Sequence, residues 1–141
     1  MHMAIGRSEN MRRIRSANTK PELLLRRALY AIGLRYRLQK RELPGRPDIC
    51  FPRQKVALFV HGCFWHQHPG CVEASRPKSN TDYWAKKLAG NVARDSRNAE
   101  SLGALGYEVI VCWECEIERD AKTLASRIRE LLKRRAVSVI G

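Results

Sequence analysis

The run Val56-Ala-Leu-Phe-Val60 constrains the fold more than any other segment, because every position in it is apolar. A strand with one solvent-facing side would alternate apolar and polar residues, so this run predicts a central strand covered on both faces. Three more strand-like segments (34–38, 48–51 and 107–111) and three helical segments (19–32, 81–105 and 119–135) accompany it. This order predicts an α/β protein with a mixed central sheet flanked by helices.

The first helix has recognisable signals at both ends. Thr19-Lys-Pro-Glu22 is a capping-box pattern with proline in the first turn, and Gly33 is placed to end the helix. Capping is therefore one sufficient reason for Glu22. The alternative is functional, since Glu22 borders the buried face near Leu25 and Leu29 and could reach a metal site.

Length and charge restrict the class of protein. A chain of 141 residues fits one domain, here residues 19–141 behind a basic N-terminal arm at residues 1–18. The 27 Lys and Arg residues outnumber 14 Asp and Glu residues, giving a net charge of +13 that favours nucleic acid as partner. No apolar run is long enough for a membrane span, and no signal-peptide centre is visible, so we expect a cytoplasmic protein.

The cysteines and histidines suggest a structural zinc site. Five cysteines without a secretory signal argue against a disulfide framework. Four ligands without an open position are typical of structural Zn²⁺, and an irregular segment at residues 61–80 needs something to order it. The ligands would be Cys63, His68, Cys71 and Cys115. Cys112 competes with Cys115 for the fourth place, although it and Cys50 fit the core better, and the alternative is a set of ordinary thiols.

Four polar residues form a candidate catalytic group. Asp48 starts the predicted strand 48–51 and could hold Mg²⁺, although Pro-Asp also marks ordinary turns. His61 ends the central strand and His66 follows in the same loop, where either could act as general base or acid, or be an exposed side chain. Asp95 falls in the inward stripe of the second helix together with Val92, so it needs a cation, a functional partner or an ion pair with a neighbouring arginine.

Aromatic and basic residues supply candidate DNA contacts. Phe64 and Trp65 are adjacent in the loop that zinc would order, and two consecutive side chains cannot easily both turn inward. Trp84 heads the second helix and could join them, or belong to the core. Such rings can insert between base pairs and unstack them. The segment Arg7–Arg15 could lie against phosphates, although a solvated basic tail is the commoner explanation.

The motifs together resemble the very short patch repair (Vsr) family of DNA mismatch endonucleases. The similarity covers residues 7–134, and the string Val60-His-Gly-Cys-Phe-Trp-His66 is its most specific part. The other matching segments are Arg7-Ser-x-Asn-Met-Arg12, Thr19-Lys-Pro-Glu-Leu-Leu-Leu-Arg-Arg-Ala28, Leu43-Pro-Gly-Arg-Pro-Asp48, Asn91-x-x-Arg-Asp95 and Val111-x-Trp-Glu-Cys115.

The resemblance implies a restriction-endonuclease-like fold that nicks DNA 5′ to the T of a T:G mismatch left by deamination of 5-methylcytosine. Asp48 and the backbone carbonyl of Val60 would hold Mg²⁺, and His66 would be the general base or acid. The remaining implied roles fall to three groups. Water near the metal would be ordered by Glu22, His61 and Asp95. Structural zinc would be held by Cys63, His68, Cys71 and Cys115. DNA would be contacted by Met11, Arg12, Phe64, Trp65 and Trp84.

Two other functions also fit parts of the sequence. A non-catalytic, zinc-stabilised DNA-binding module would explain the charge, the ligands and the aromatic residues, but not Asp48, His66 and Asp95 together. A restriction-type endonuclease would cut paired DNA instead. For the leading function we expect a monomer that acts on double-stranded DNA with a T:G mismatch, is nucleoid-associated when bound, and has a mismatch-repair coordinator protein as a further candidate partner.

Overall fold

The computed structural model describes residues 18–140, with side chains up to residue 136. The arm contacts Met11 and Arg12 therefore lie outside the described residues. The described chain is a mixed α/β structure, as the order of segments predicted. Its elements are α1 (Lys20–Ala31), β1 (Arg37–Leu38), β2 (Ile49–Phe51), β3 (Val56–His61), a 3-10 turn (Val72–Ala74), α2 (Thr81–Ala104), β4 (Glu108–Trp113) and α3 (Glu114–Ile140).

The four strands form one mixed sheet in the order β1-β2-β3-β4. β1 pairs antiparallel with β2, and β2 pairs antiparallel with β3. β3 and β4 are parallel, with His61 opposite Trp113 at their carboxyl ends. The chain therefore leaves both strands at the same edge of the sheet.

β3 is the central strand that the apolar run predicted. Val56, Ala57 and Leu58 have no exposed surface, whereas Phe59 and Val60 are partly buried as the strand approaches its carboxyl end. The main core joins these strand residues to the inner faces of two helices, with Leu25 and Leu29 from α1. The α3 side of this core consists of Ile117, Ala125, Ile128 and Leu132.

The predicted ends of α1 are confirmed, but the capping box is not formed. Thr19 is the N-cap residue and makes no side-chain capping hydrogen bond. The carboxylate of Glu22 instead accepts the backbone N–H of Asn18 at 3.3 Å. After the helix, Gly33 has a φ of +91° and Leu34 donates its N–H to the carbonyl of Leu29 at 3.1 Å. Leu34 is therefore used to end α1 and does not join the strand. This is one reason that β1 is shorter than the predicted segment 34–38.

Helices α2 and α3 depart from prediction in one detail each. Val92 is 44% exposed instead of buried, because the inward position at that turn belongs to its neighbour Asn91. The last helix begins at Glu114 and not at 119, with a non-helical residue at Asp120 (φ −161°, ψ 79°). The Asp120 carboxylate accepts the N–H and hydroxyl of Thr123, so it caps the second part, which matches the predicted helix. Within residues 18–140 no helix has the length and apolarity to cross a membrane.

Candidate functional site

The parallel pair β3–β4 determines where the site forms. Because both strands end at the same edge, Gly62 and Cys63 follow His61 beside Glu114 and Cys115, which follow Trp113. The backbone N–H of Cys63 donates to Glu114 Oε1 at 3.0 Å and joins the two chain segments. This hydrogen bond thus holds together two residues that are 51 positions apart in the sequence.

Four Cys and His side chains meet at this edge, and their ligand atoms lie within 4.8 Å of one another. His68 Nδ1 is 3.6 Å from Cys63 Sγ and 3.5 Å from Cys115 Sγ, and the sulfurs of Cys71 and Cys115 are 4.0 Å apart. Bonds of about 2.3 Å to sulfur and 2.0–2.1 Å to nitrogen give tetrahedral edges of about 3.8 Å for S–S and 3.6 Å for S–N. The spacing therefore fits one tetrahedral metal ion.

The surroundings of this cluster also suit a cation. Burial raises the pKa of the Cys63 thiol to about 12 and also raises the pKa of Cys115. Such thiols ionise at neutral pH only when a metal stabilises the thiolate. The ring of His68 stacks on Trp113 at 4.2 Å. Cys112 is fully buried in the main core, so it does not compete for the fourth position.

His66 and Asp95 form the shortest polar contact at the end of β3. His66 Nδ1 lies 2.6 Å from Asp95 Oδ2, and both side chains are partly exposed. The helix α2 therefore turns Asp95 toward His66, while Arg94 donates to Asn91 Oδ1 instead. Because the carboxylate accepts a hydrogen bond from Nδ1–H, a neutral His66 carries its lone pair on Nε2. This is the arrangement of a histidine prepared for proton transfer.

His61 stacks on His66 with ring centroids 3.7 Å apart and 6° between the planes. Burial, followed by the charge of His66, lowers the pKa of His61 to about 4, although Asp95 acts in the opposite direction. His61, His66 and Asp95 are close enough to hold a metal ion. Two parallel stacked rings cannot direct in-plane lone pairs at one ion, so the geometry favours a His–Asp pair with a neutral neighbour.

Asp48 lies at the same site, held by the backbone of β3. Its Oδ2 accepts the N–H of Val60 at 2.7 Å. The pKa of Asp48 is raised to about 6, chiefly by burial and then by the charge of Glu22, although the Val60 N–H, His66 and Arg26 lower it. Glu22 and His66 therefore both act electrostatically on Asp48. The raised pKa means that the cations around this partly buried carboxylate do not compensate its charge.

Glu22 is 2% exposed and forms a buried network. Its Oε2 pairs with the Arg26 guanidinium and accepts a hydrogen bond from Gln39 Nε2 at 3.2 Å. The Nε of Arg26 is buried without a hydrogen-bond partner among the described residues. A carboxylate this deep needs such donors, because burial of an unpaired charge is costly.

The three predicted intercalating residues form a hydrophobic cluster with Leu88. Trp65 and Trp84 are each only 7% exposed, and Phe64 packs against both, with ring centroids 5.0 Å and 5.4 Å away. Trp65 turns inward and Phe64 is partly buried beside it, although we expected that two consecutive loop side chains could not easily both turn inward. The side chains of Phe64 and Trp65 pack in a hydrophobic cluster that is separate from the main core. Asn91 donates to the Trp65 carbonyl at 3.1 Å and fixes the loop to α2.

Sequence reasoning missed several residues that build this site. Trp113 and Glu114 are part of the motif Val111-x-Trp-Glu-Cys115. Their position directly before the predicted zinc ligand Cys115 is the sequence signal by which they could have been identified. Asn91 likewise stands in the motif that ends at Asp95. Gln39 has no such signal, because its partner Glu22 lies 17 residues away on another element.

Comparison with known proteins identifies the family of this chain. The profile of the family described as DNA mismatch endonuclease Vsr matches residues 1–72. A type II nicking enzyme of Xanthomonas oryzae, V.XorIIP, is 48% identical over 122 residues, covering 86% of this chain and 88% of the relative. The type II nicking enzyme V.NmeAIP of Neisseria meningitidis is 44% identical over 115 residues, covering 82% and 81%.

The DNA mismatch endonuclease Vsr of Escherichia coli is 37% identical over 133 residues, which cover 94% of this chain and 85% of the relative. These relatives are nucleases, and nucleases are hydrolases. Similarity at this level over nearly the whole length shows that the chain belongs to the Vsr family of DNA mismatch endonucleases.

Proposed function

We propose that this protein nicks one strand of double-stranded DNA 5′ to the T of a T:G mismatch, the product of 5-methylcytosine deamination, and so initiates very short patch repair. The reaction is hydrolysis of one phosphodiester bond and uses Mg²⁺. A restriction-endonuclease-like nuclease domain at residues 19–141 and a DNA-contacting arm at residues 1–18 belong to the same proposal. The names of the relatives support the activity class.

The observation that carries the proposal is the meeting of a His–Asp pair with the partly buried Asp48 at one sheet edge. His66 and Asp95 are 2.6 Å apart, and the charge of His66 acts on Asp48. A DNA-binding module without catalysis has no need for these groups at one place. Phosphodiester hydrolysis needs all of them, because a proton must be moved while negative charge develops on the phosphate.

The protein's own residues account for the proton transfer. Asp95 accepts from His66 Nδ1–H and orients the ring, so Nε2 takes a proton from the attacking water or returns one to the leaving oxygen. The neutral ring of His61, parallel to that of His66, keeps His66 in place without adding a second positive charge. Water supplies the hydroxyl group, and one P–O bond of the backbone breaks.

Asp48 fits the role of a Mg²⁺ ligand. Its carboxylate is partly buried, close to the charge of Glu22, and not compensated by the surrounding cations, as its raised pKa indicates. Oδ2 is occupied by the Val60 N–H, which brings the Val60 main chain next to the carboxylate. A hard cation bound here would supply charge stabilisation at the phosphate and orient it. Glu22 would order nearby water from the α1 side.

The aromatic cluster would enter the DNA base stack next to this centre. Phe64 and Trp65 directly precede His66, so insertion of their rings would present the adjacent backbone to the His–Asp pair. Packing against Trp84 protects the rings from water before binding, and base contacts would replace the ring contacts. The net charge of +13 favours approach to the phosphates.

A nicking assay tests the proposal. One labelled strand in each of three duplexes, T:G, T:A and C:G at the same position, is incubated with zinc-loaded protein in Mg²⁺ or in Mg²⁺ with excess EDTA. We expect a nick 5′ to the T in the T:G duplex with Mg²⁺ only. Asp48→Ala should remove the nick while leaving mismatch binding largely intact.

Other results identify the alternatives. Equal cleavage of T:G and T:A duplexes would mean a restriction-type enzyme for paired DNA. Binding without cleavage in Mg²⁺ would mean a zinc-stabilised DNA-binding module. Cleavage by Asp48→Ala at the wild-type rate would contradict the role given to Asp48.

A further inference from the structure

Gln39 has a backbone conformation that non-glycine residues rarely adopt. It follows β1 directly and has a φ of +50°. Its main-chain N–H donates to the carbonyl oxygen of Asp48 at 3.2 Å. Left-handed residues other than glycine persist where the surrounding structure holds them, and they concentrate at functional sites. This hydrogen bond ties the main chain of Gln39 to Asp48, the residue directly before β2.

The side chain of Gln39 reaches the other acid of the site. Its Nε2 donates to Glu22 Oε2 at 3.2 Å, on the oxygen that also pairs with Arg26. Among the described residues, the second oxygen, Oε1, receives one contact, the longer one of 3.3 Å from the Asn18 N–H. Gln39 thus donates through its main chain to the main-chain carbonyl of Asp48 and through its amide to the carboxylate of Glu22.

We propose that Gln39 is a positioning residue that fixes the Glu22 carboxylate relative to Asp48 and leaves Glu22 Oε1 available to order water at the metal site. This inference rests on the proposed function. The chemistry of the amide suits the role, because a neutral donor orients a carboxylate without cancelling the negative charge that a divalent cation needs. Arg26 alone cannot orient Glu22 in this way, because its positively charged guanidinium also offsets the negative charge of the carboxylate.

The hydrogen bonds of Gln39 also connect two parts of the fold. They join α1, which carries Glu22, to the segment at Asp48 that leads directly into β2.

Two substitutions test the side-chain amide of Gln39 separately from its main-chain hydrogen bond. Gln39→Met keeps an unbranched side chain of similar length and removes the donor, whereas Gln39→Glu keeps the shape and places a third carboxylate against Glu22. Lys55→Met is the matched control. Lys55 also has a positive φ, +56°, and its Nζ donates to the Leu105 carbonyl at 3.2 Å, but it lies at the opposite end of β3 from His61.

Two kinds of measurement are needed. In single-turnover and steady-state nicking of the T:G duplex, Gln39→Met should lower kcat by about 10- to 100-fold, the usual effect of removing a residue that orients a metal-site ligand. The Mg²⁺ concentration for half-maximal rate should rise, and KM for DNA should stay unchanged. Gln39→Glu should be slower still, and Lys55→Met should match the wild type.

The second measurement needs neither DNA nor Mg²⁺. In ¹H–¹⁵N spectra of the zinc-loaded protein, the side-chain amide pair of Gln39, assigned by its loss in Gln39→Met, should shift in Glu22→Gln and stay in place in Lys55→Met. An unchanged amide signal in Glu22→Gln overturns the inference, and so does a folded Gln39→Met protein with wild-type kcat and Mg²⁺ dependence. If the wild-type protein itself nicks no mismatch, the proposed function fails and this role fails with it.

Discussion

The imidazole rings of His61 and His66 lie parallel, with centroids 3.7 Å apart and 6° between their planes. Two rings in this arrangement cannot both carry a positive charge at low cost. Burial and the charge of His66 lower the pKa of His61 to about 4, so at neutral pH His61 remains uncharged. Asp95 is hydrogen-bonded to His66 Nδ1, so under the proposed function His66 is the ring of the pair that would exchange protons.

Asp95→Asn should lower kcat for nicking by about 100- to 10,000-fold, the range of a lost acid–base function. The asparagine amide donates where the carboxylate accepted, so the neutral ring would hold its proton on Nε2 and lose its basic position. KM for the T:G duplex should change little. Glu100→Gln, an exposed substitution on the same helix, is the control. A wild-type rate for Asp95→Asn would remove Asp95 from the mechanism.

Asp48→Asn should stabilise the Mg²⁺-free protein at pH 7 and not at pH 4. The pKa of Asp48 is about 6 in the folded protein against an ordinary value of 3.8. Between these values the folded state binds more protons than the unfolded state, so wild-type stability falls as pH rises. The difference amounts to about 3 kcal/mol above pH 6.

Thermal unfolding of wild type and Asp48→Asn across pH 4 to 8 measures this. The two unfolding temperatures should coincide near pH 4 and separate through pH 6, with the variant higher. A constant offset at all pH values would mean that the Asp48 pKa is not raised.

His61→Gln should show the opposite pH trend. The folded-state pKa of His61 is about 4 against 6.5, so between these values the unfolded state binds more protons and wild-type stability is lost as pH falls. Glutamine does not titrate, so the variant should gain stability relative to wild type between pH 6.5 and 4. Chemical denaturation at pH 4.5 and pH 7.5 compares the two proteins. Parallel behaviour at both pH values would contradict the buried, neutral state of His61.

The sequence predicted the elements of this fold well where local signals were strong. The apolar run of β3 and the Thr19 and Gly33 ends of α1 needed no tertiary information. The start of α3 at Glu114 was missed, because the break at Asp120 hides the first turns from a periodicity search. The exposure of Val92 was also missed, since the core contains a polar residue, Asn91, at the neighbouring position.

The candidate site was predictable to the extent that its residues are chemically distinctive. Cysteine, histidine and aspartate attract attention in a sequence, and the structure places Cys63 and Cys115 together through parallel strands. The burial of Trp65 was not predictable, because it depends on a cluster formed with Trp84 of another element. Gln39 could not be identified from the sequence, because glutamine is common and its hydrogen-bond partner Glu22 lies on another element of the fold.

The Cys/His cluster should contain about one zinc ion per chain, as four closed ligands require. Cys115→Ser and His68→Gln should each reduce zinc content and lower the unfolding temperature, because metal binding contributes directly to folding. Cys112→Ala is the control: it removes a core thiol and should keep the zinc. Metal analysis by mass spectrometry, combined with Co²⁺ substitution to detect thiolate ligation, makes the measurement. Full zinc content in Cys115→Ser would exclude that ligand.

Phe64→Ala should weaken binding to a T:G duplex more than binding to a paired duplex. Each stacked base contributes about 1–3 kcal/mol when an aromatic side chain is present, which corresponds to a rise in Kd of about 5- to 150-fold. Binding to paired DNA depends mainly on charge, so its Kd should be nearly unchanged. Tyr30→Ala removes another aromatic residue, 56% exposed on α1, and should leave both affinities unchanged.

Tryptophan fluorescence provides the second readout of the same prediction. Trp65 and Trp84 are buried against Phe64, so transfer of the rings into the base stack should quench their emission on T:G DNA and not on paired DNA. Fluorescence anisotropy of labelled duplexes at two salt concentrations gives both Kd values. If Phe64→Ala weakened both duplexes equally, with no mismatch-dependent quenching, the aromatic cluster would be a structural core and mismatch recognition would have to come from other residues.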